Sequence, residues 1–96
     1  MTLNVSQEEA RKLISKGALV VDVRSVEEFT DGHVPDSLNL PLHLIPVLAK
    51  EKIPKDRPVL LCCASGARSA MAAEYLNPQG YEVYNLGSWL AHPDLS

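Results

Sequence analysis

No apolar run in this chain approaches the roughly 18 residues of a membrane span, and Met1-Thr2-Leu3-Asn4 lacks the basic opening of a secretion signal. A cytoplasmic protein with no membrane partner is therefore expected. Positive charge is not in excess either: Lys and Arg total 9 against 12 Asp and Glu, for a net charge of -3. That balance gives no basic footprint for nucleic acid, so any positive site must be local. Cysteine is scarce, and the only two, Cys62 and Cys63, are neighbours. Adjacent cysteines cannot close a useful loop, so no structural disulfide is expected, and a reducing compartment suits a working thiol. Repeats, linkers and low-complexity tracts are also missing. The 96 residues are expected to form one domain, residues 1–96, acting as a monomer. A chain of that size buries roughly 60 to 70% of its unfolded surface around a single core.

The patterning that is present alternates strands with helices. Ser6 and Glu9 have capping-box spacing ahead of an apolar stripe at Ala10, Leu13 and Ile14, and Gly17 ends that helix. A short strand is expected before it, at Leu3 to Val5. Ala18-Leu19-Val20-Val21-Asp22-Val23 is a nearly continuous β-branched run, the mark of a strand covered on both faces of a parallel sheet. Ser25 and Glu28 form a second capping box for a short helix broken at Asp31-Gly32. Leu38-Asn39-Leu40 reads as a brief strand stopped by Pro41. Leu42 to Lys50 reads as a helix that Pro46 interrupts. A strand ending in the cysteines, a helix from Ala67 to Leu76, a turn at Pro78-Gln79-Gly80 and a last strand at Glu82 to Leu86 complete the α/β pattern.

The richest segment is Val59-Leu60-Leu61-Cys62-Cys63-Ala64-Ser65-Gly66-Ala67-Arg68-Ser69. An apolar strand runs into small residues and then into a helix, so the turn between them leaves backbone N–H groups pointing inward. Such a nest, backed by a helix N-terminus, attracts anions and favours thiolate over thiol. Ala64, Ser65, Gly66 and Ala67 leave the amides open, and Gly66 can take a positive φ. Arg68, the only full cation of the loop, offers forked donors to an oxyanion and lowers the thiol pKa. Cys62 lies inside the strand and reads as a small buried hydrophobe. Cys63, at the loop mouth, reads as the nucleophile.

With these residues in view, the chain resembles the single-domain rhodaneses, the thiosulfate sulfurtransferase homology family. Val21-Asp22-Val23-Arg24, Glu27-Glu28-Phe29 and Gly32-His33-Val34-Pro35 through Asn39-Leu40-Pro41 are similar to the family's opening signature. Cys63-Ala64-Ser65-Gly66-Ala67-Arg68-Ser69 resembles its active-site loop, and Gly80-Tyr81 with Val83-Tyr84-Asn85-Leu86-Gly87 its last strand. The resemblance implies an open parallel sheet of about five strands with helices on both faces. It also implies a Cys63 persulfide, loaded from a small anionic donor such as thiosulfate and discharged to cyanide or to a thiol or protein acceptor. The amides of Ala64 to Ser69 would hold the outer sulfur. No metal or organic cofactor is implied. Ala64 stands where many active relatives carry a positive residue, which lowers the charge of the site.

Register leaves alternatives open. Arg68 is the sixth residue after Cys62, the spacing of the cysteine phosphatases, so Cys62 is the nucleophile of a competing phosphatase reading. Leu61 replaces the phosphatase histidine, and Gly66 keeps step with Cys63, so the sulfurtransferase reading stands first. A non-catalytic binding or regulatory module of the same fold is the other alternative. Among the remaining signature residues, Arg24 and Glu28 are expected to pair across the short helix, and His33 to make a structural hydrogen bond rather than bind metal. Asp22 has a lesser claim to orient the loop. His43 and His92 are read as solvent-facing, and Trp89 as core.

Overall fold

Both capping boxes form. The computed structural model describes residues 3–91. In it, the Ser6 hydroxyl accepts from the Glu9 amide at 3.1 Å, and the Glu9 carboxylate accepts from the Ser6 amide at 3.0 Å. This exchange satisfies two of the N–H groups that any helix start leaves without partners, and it fixes the start of α1 (Gln7–Ser15). The same exchange between Ser25 and Glu28, at 3.2 and 3.1 Å, opens α2 (Val26–Thr30).

Five strands, β1 (Leu3–Asn4), β2 (Leu19–Asp22), β3 (Leu38–Asn39), β4 (Val59–Cys63) and β5 (Val83–Ser88), form one sheet in the order β1-β5-β4-β2-β3. All pairings are parallel. The central strand β4 is buried at every residue, as a continuous apolar run requires when helices cover both faces. Two further helices, α3 (Ile45–Lys52) and α4 (Ala67–Leu76), pack on one face with Val21, Val23, Val59, Leu61 and Cys63. On the other face α1 meets Val20, Leu60, Cys62 and Leu86 through Ala10, Leu13 and Ile14. The expected α/β architecture, an open parallel sheet with helices on both faces, is what the chain adopts.

Several boundaries differ from the sequence reading, each for a local reason. Pro46 does not interrupt a helix. It lies in the first turn of α3, after a 3-10 turn at Leu42–Leu44, where a missing N–H costs nothing. β2 stops at Asp22 because the Asp22 carboxylate accepts from the Arg24 amide and turns the chain out of the sheet. β5 runs on to Ser88, past the expected end. Leu61 pairs with Asn85 but Cys62 pairs with Gly87, so Leu86 is an extra residue, a bulge beside the cysteine strand end. No helix among the described residues is long and apolar enough to cross a membrane. His92 lies outside the described residues.

Candidate active site

Strand alternation sends the two cysteines to opposite faces of the sheet. Cys62 packs with Val20, Leu60 and Leu86 and has no exposed surface. Burial pushes its thiol far above the ordinary cysteine range, and the charge of Asp22, its register partner on β2, adds to the rise. Such a thiol is inert. Cys63 lies on the other face, at the foot of the loop, where Gly66 N–H donates to its Sγ at 2.9 Å and the Ser69 hydroxyl stands 3.6 Å away. Burial opposes its charge, but hydrogen bonds from the Ser69 side chain and amide and from the amides of Gly66 and Ser65 outweigh it and hold the thiol below its ordinary value.

The loop is built so that these amides stay available. Gly66 is the N-cap of α4 at φ +100°, and no side chain caps the helix. The N–H groups of its first turn are therefore left to the site. A Cβ on Gly66 would approach the Gly87 Cα to 3.3 Å, so glycine is required both for the left-handed backbone and for the close passage of β5. Ala64, Ser65 and Ala67 are exposed around the mouth, whereas Ser69 is buried beneath it.

Asn85 is the residue that sequence reasoning passed over. Its Oδ1 accepts from the Ser69 hydroxyl at 2.6 Å and from Gly87 N–H at 2.8 Å, and its Nδ2 donates to the Gly66 carbonyl at 3.3 Å. It is buried, and it fastens the loop and the start of α4 to the bulged strand β5. A polar side chain at a strand position flanked by Val83 and Leu86 was the available signal.

The charged residues pair differently from expectation. Arg24 does not meet Glu28. It precedes α2, and its guanidinium clasps the Asp22 carboxylate at 2.8 Å, donates to the Gly32 carbonyl at 2.6 Å and lies 4.5 Å over the Trp89 ring. Asp22 is therefore engaged with Arg24, on the Cys62 side of the sheet, and does not orient the Cys63 loop. Glu28 pairs instead with Arg68 through two parallel hydrogen bonds of 2.7 and 3.0 Å. Hydrogen bonds from Arg68 first, and from the Ser25 amide second, hold the Glu28 carboxyl at about 2. The forked donors expected to meet an oxyanion are thus already matched by a carboxylate. Hydrogen bonds from Ser69 and the loop amides are the main cause of the lowered Cys63 thiol, and the attraction between Arg68 and the thiolate works in the same direction.

The His33 Nδ1 lies 2.7 Å from the Phe29 carbonyl, and the ring stacks on Phe29 at 3.7 Å. A carbonyl can only accept, so Nδ1 carries the proton. Trp89 packs against the Cys62-side core, and His43 is exposed. Among the described residues no group of three or more His, Cys, Asp or Glu is placed to hold a metal ion.

The parallel α/β sheet thus carries, at the carboxyl end of its central strand, a cysteine whose thiol is held below its ordinary value and an amide-lined loop that leads into a helix. The Rhodanese-like domain description matches residues 6–91. The chain belongs to the rhodanese family. A sulfurtransferase of Allochromatium vinosum is 47% identical over 83 residues, spanning 81% of this chain and 77% of that protein. The thiosulfate sulfurtransferase GlpE of Coxiella burnetii is 34% identical over 98 residues, spanning 96% of this chain and 91% of its own. Among solved structures, the rhodanese homologue TT1651 of Thermus thermophilus is similar at a TM-score of 0.74 and 35% identity, covering 92% of this chain and 96% of that one.

Proposed function

We propose that this rhodanese-family chain is a sulfurtransferase that works through a persulfide on Cys63. The Cys63 thiolate attacks the outer sulfur of a sulfane donor of the thiosulfate kind. The donor's S–S bond breaks, sulfite departs with the bonding electron pair, and Cys63 keeps the outer sulfur as a persulfide anion. A thiol, or cyanide, then attacks that sulfur, and Cys63 leaves as thiolate. Proton transfer to a base is not needed where the thiol is already ionised, and no redox partner enters the balance.

The observation that carries this reading is the Gly66 N–H donating to Cys63 Sγ at 2.9 Å within a loop that holds the thiol below its ordinary value. Amides that stabilise a thiolate also suit the terminal sulfur of a persulfide, where the same negative charge moves one atom outward. The names of the relatives support the same chemistry. A phosphatase centred on Cys62 finds no support, because that thiol lies in the core on the opposite face of the sheet.

Replacing each cysteine tests the assignment. Cys63→Ser is expected to abolish transfer of sulfur from thiosulfate to cyanide and to prevent any gain of sulfur in the intact mass. Cys62→Ala, which removes the buried thiol without burying a hydroxyl, is expected to keep most of the activity. Comparable losses in the two variants would overturn the reading.

A further inference from the structure

A cleft of about 310 Å³ opens beside the Cys63 loop, lined by Val23, Ser25, Pro41, Leu42, His43 and Arg68. Two of its lining residues bring it near Cys63: Arg68 follows the loop directly, and Val23 belongs to the same side of the core. The Val23 amide donates to the Cys62 carbonyl at 3.0 Å, the Leu42 amide donates to the Val23 carbonyl at 3.0 Å, and Val23 shares a buried cluster with Cys63. The volume falls at the lower end of the roughly 300 to 1,000 Å³ of sites for small organic ligands.

The walls have little to offer a compact dianion. Val23, Pro41 and Leu42 are apolar, and the one full cation of the lining, Arg68, is matched in a bidentate pair by Glu28. The Ser25 hydroxyl is likewise committed to Glu28, at 3.1 Å. Sulfonate oxygens placed here would lose water without gaining an unpaired cation, which is costly. An alkyl group placed here would bury apolar surface on both sides. Cys63 itself has no exposed surface, so a donor must present a slim terminal sulfur to the loop while its remaining atoms lie along the approach.

We infer that this cleft is a subsite for the organic half of an aliphatic thiol, so that sulfur is exchanged at Cys63 with an alkyl persulfide in preference to thiosulfate. The inference rests on the sulfurtransferase reading above. In the reaction, the Cys63 thiolate attacks the outer sulfur of R–S–S⁻ and forms a new S–S bond, the donor's own S–S bond breaks, R–S⁻ leaves with the bonding electron pair, and Cys63 keeps the outer sulfur as a persulfide anion. Charge and sulfur balance, and no oxidant is consumed. The reverse step, with R–S⁻ returning to the same cleft, is discharge to a thiol acceptor.

The test loads the protein with thiosulfate or with the persulfide of N-acetylcysteine methyl ester, and follows the gain of one sulfur by intact mass. Each rate is divided by that of the same donor with a small free thiol, which removes intrinsic reactivity. The wild-type protein is expected to favour the alkyl persulfide by about tenfold or more, the discrimination that an apolar pocket gives. Glu28→Gln should narrow the gap by speeding thiosulfate loading, since glutamine keeps the capping box while releasing the charge of Arg68. Leu42→Asn should narrow it from the other side, by slowing the alkyl persulfide. Both donors are assayed on one preparation, so any loss of folded protein cancels in the ratio. A wild-type preference for thiosulfate, or a ratio unmoved in both variants, overturns the subsite. Failure of both donors to load Cys63 overturns the sulfurtransferase reading itself.

Discussion

Cys63 and Cys62 are the same residue type one position apart, and their environments drive their chemistry in opposite directions. Burial raises both thiols, but only Cys63 has donors to offset it, from Ser69, Gly66 and Ser65. Ser69 is the donor most open to test, because its hydroxyl has one proton and several acceptors around it: Asn85 Oδ1 at 2.6 Å, the Gly66 carbonyl at 3.0 Å and Cys63 Sγ at 3.6 Å. A charged sulfur competes best for that proton, since a hydrogen bond to an ion is about twice as strong as a neutral one. The rate of Cys63 alkylation by iodoacetamide should therefore rise with pH to a plateau, with a midpoint below the roughly 8.5 of a free cysteine. The sign follows from the lowered pKa: the reactive thiolate persists below the free value and is lost only as the pH falls through the folded one. Ser69→Ala should move the midpoint upward. A wild-type midpoint at or above the free value would leave the thiol without its proposed activation.

At the scale of elements, the site depends on three segments meeting: the end of β4, the start of α4 and the bulge in β5. Asn85 joins them. Asn85→Leu would leave the half-buried Gly87 N–H without its acceptor, at a cost of about 1–3 kcal/mol, and would leave the Ser69 hydroxyl to the Gly66 carbonyl. Urea denaturation should show a loss of this size, together with a slower Cys63 alkylation; unchanged stability would mean that the clamp is dispensable. Features set by neighbours in sequence were legible: the capping boxes at Ser6 with Glu9 and Ser25 with Glu28, the buried run of β2, and the helix from Ala67 to Leu76. The turn from Cys63 into the helix was legible too, because it is one continuous segment. What was not legible were the partners of polar groups far apart in sequence. Glu28 and Arg68 are separated by 40 positions and Ser69 and Asn85 by 16, and only the crossing of strands brings them together. Arg24 and Glu28 have the spacing of a helical pair, yet α2 begins at Val26, so Arg24 stands outside the helix and turns back to Asp22.

Across the whole molecule the sheet divides the interior in two, with Cys63 on the α3 and α4 face and a buried ion pair on the α1 face. Asp22 is 0% and Arg24 4% exposed. Their contact, with the Gly32 carbonyl and the Trp89 ring, ties the end of β2 to the segment after α2 and to the 3-10 turn Trp89–Ala91. A Cβ on Gly32 would come within 2.9 Å of the Trp89 ring, so this corner is closely packed as well as charged. Removing one member of such a pair strands the other in a low dielectric, at about 3–5 kcal/mol. For a chain of 96 residues, for which a total stability of about 5–14 kcal/mol is typical, that is a large fraction. Arg24→Leu should therefore lower the urea midpoint sharply. Adding Asp22→Asn should recover part of the loss, because asparagine removes the stranded charge while its Oδ1 can still accept from the Arg24 position's amide, as Asp22 does at 3.0 Å. The alkylation midpoint of Cys63, measured on the folded fraction, should stay where it was in both variants, since the pair faces away from the loop. A single variant that costs under about 1 kcal/mol would show that Asp22 finds solvent or another partner. A shift of the Cys63 midpoint would show instead that the two faces of the sheet are coupled.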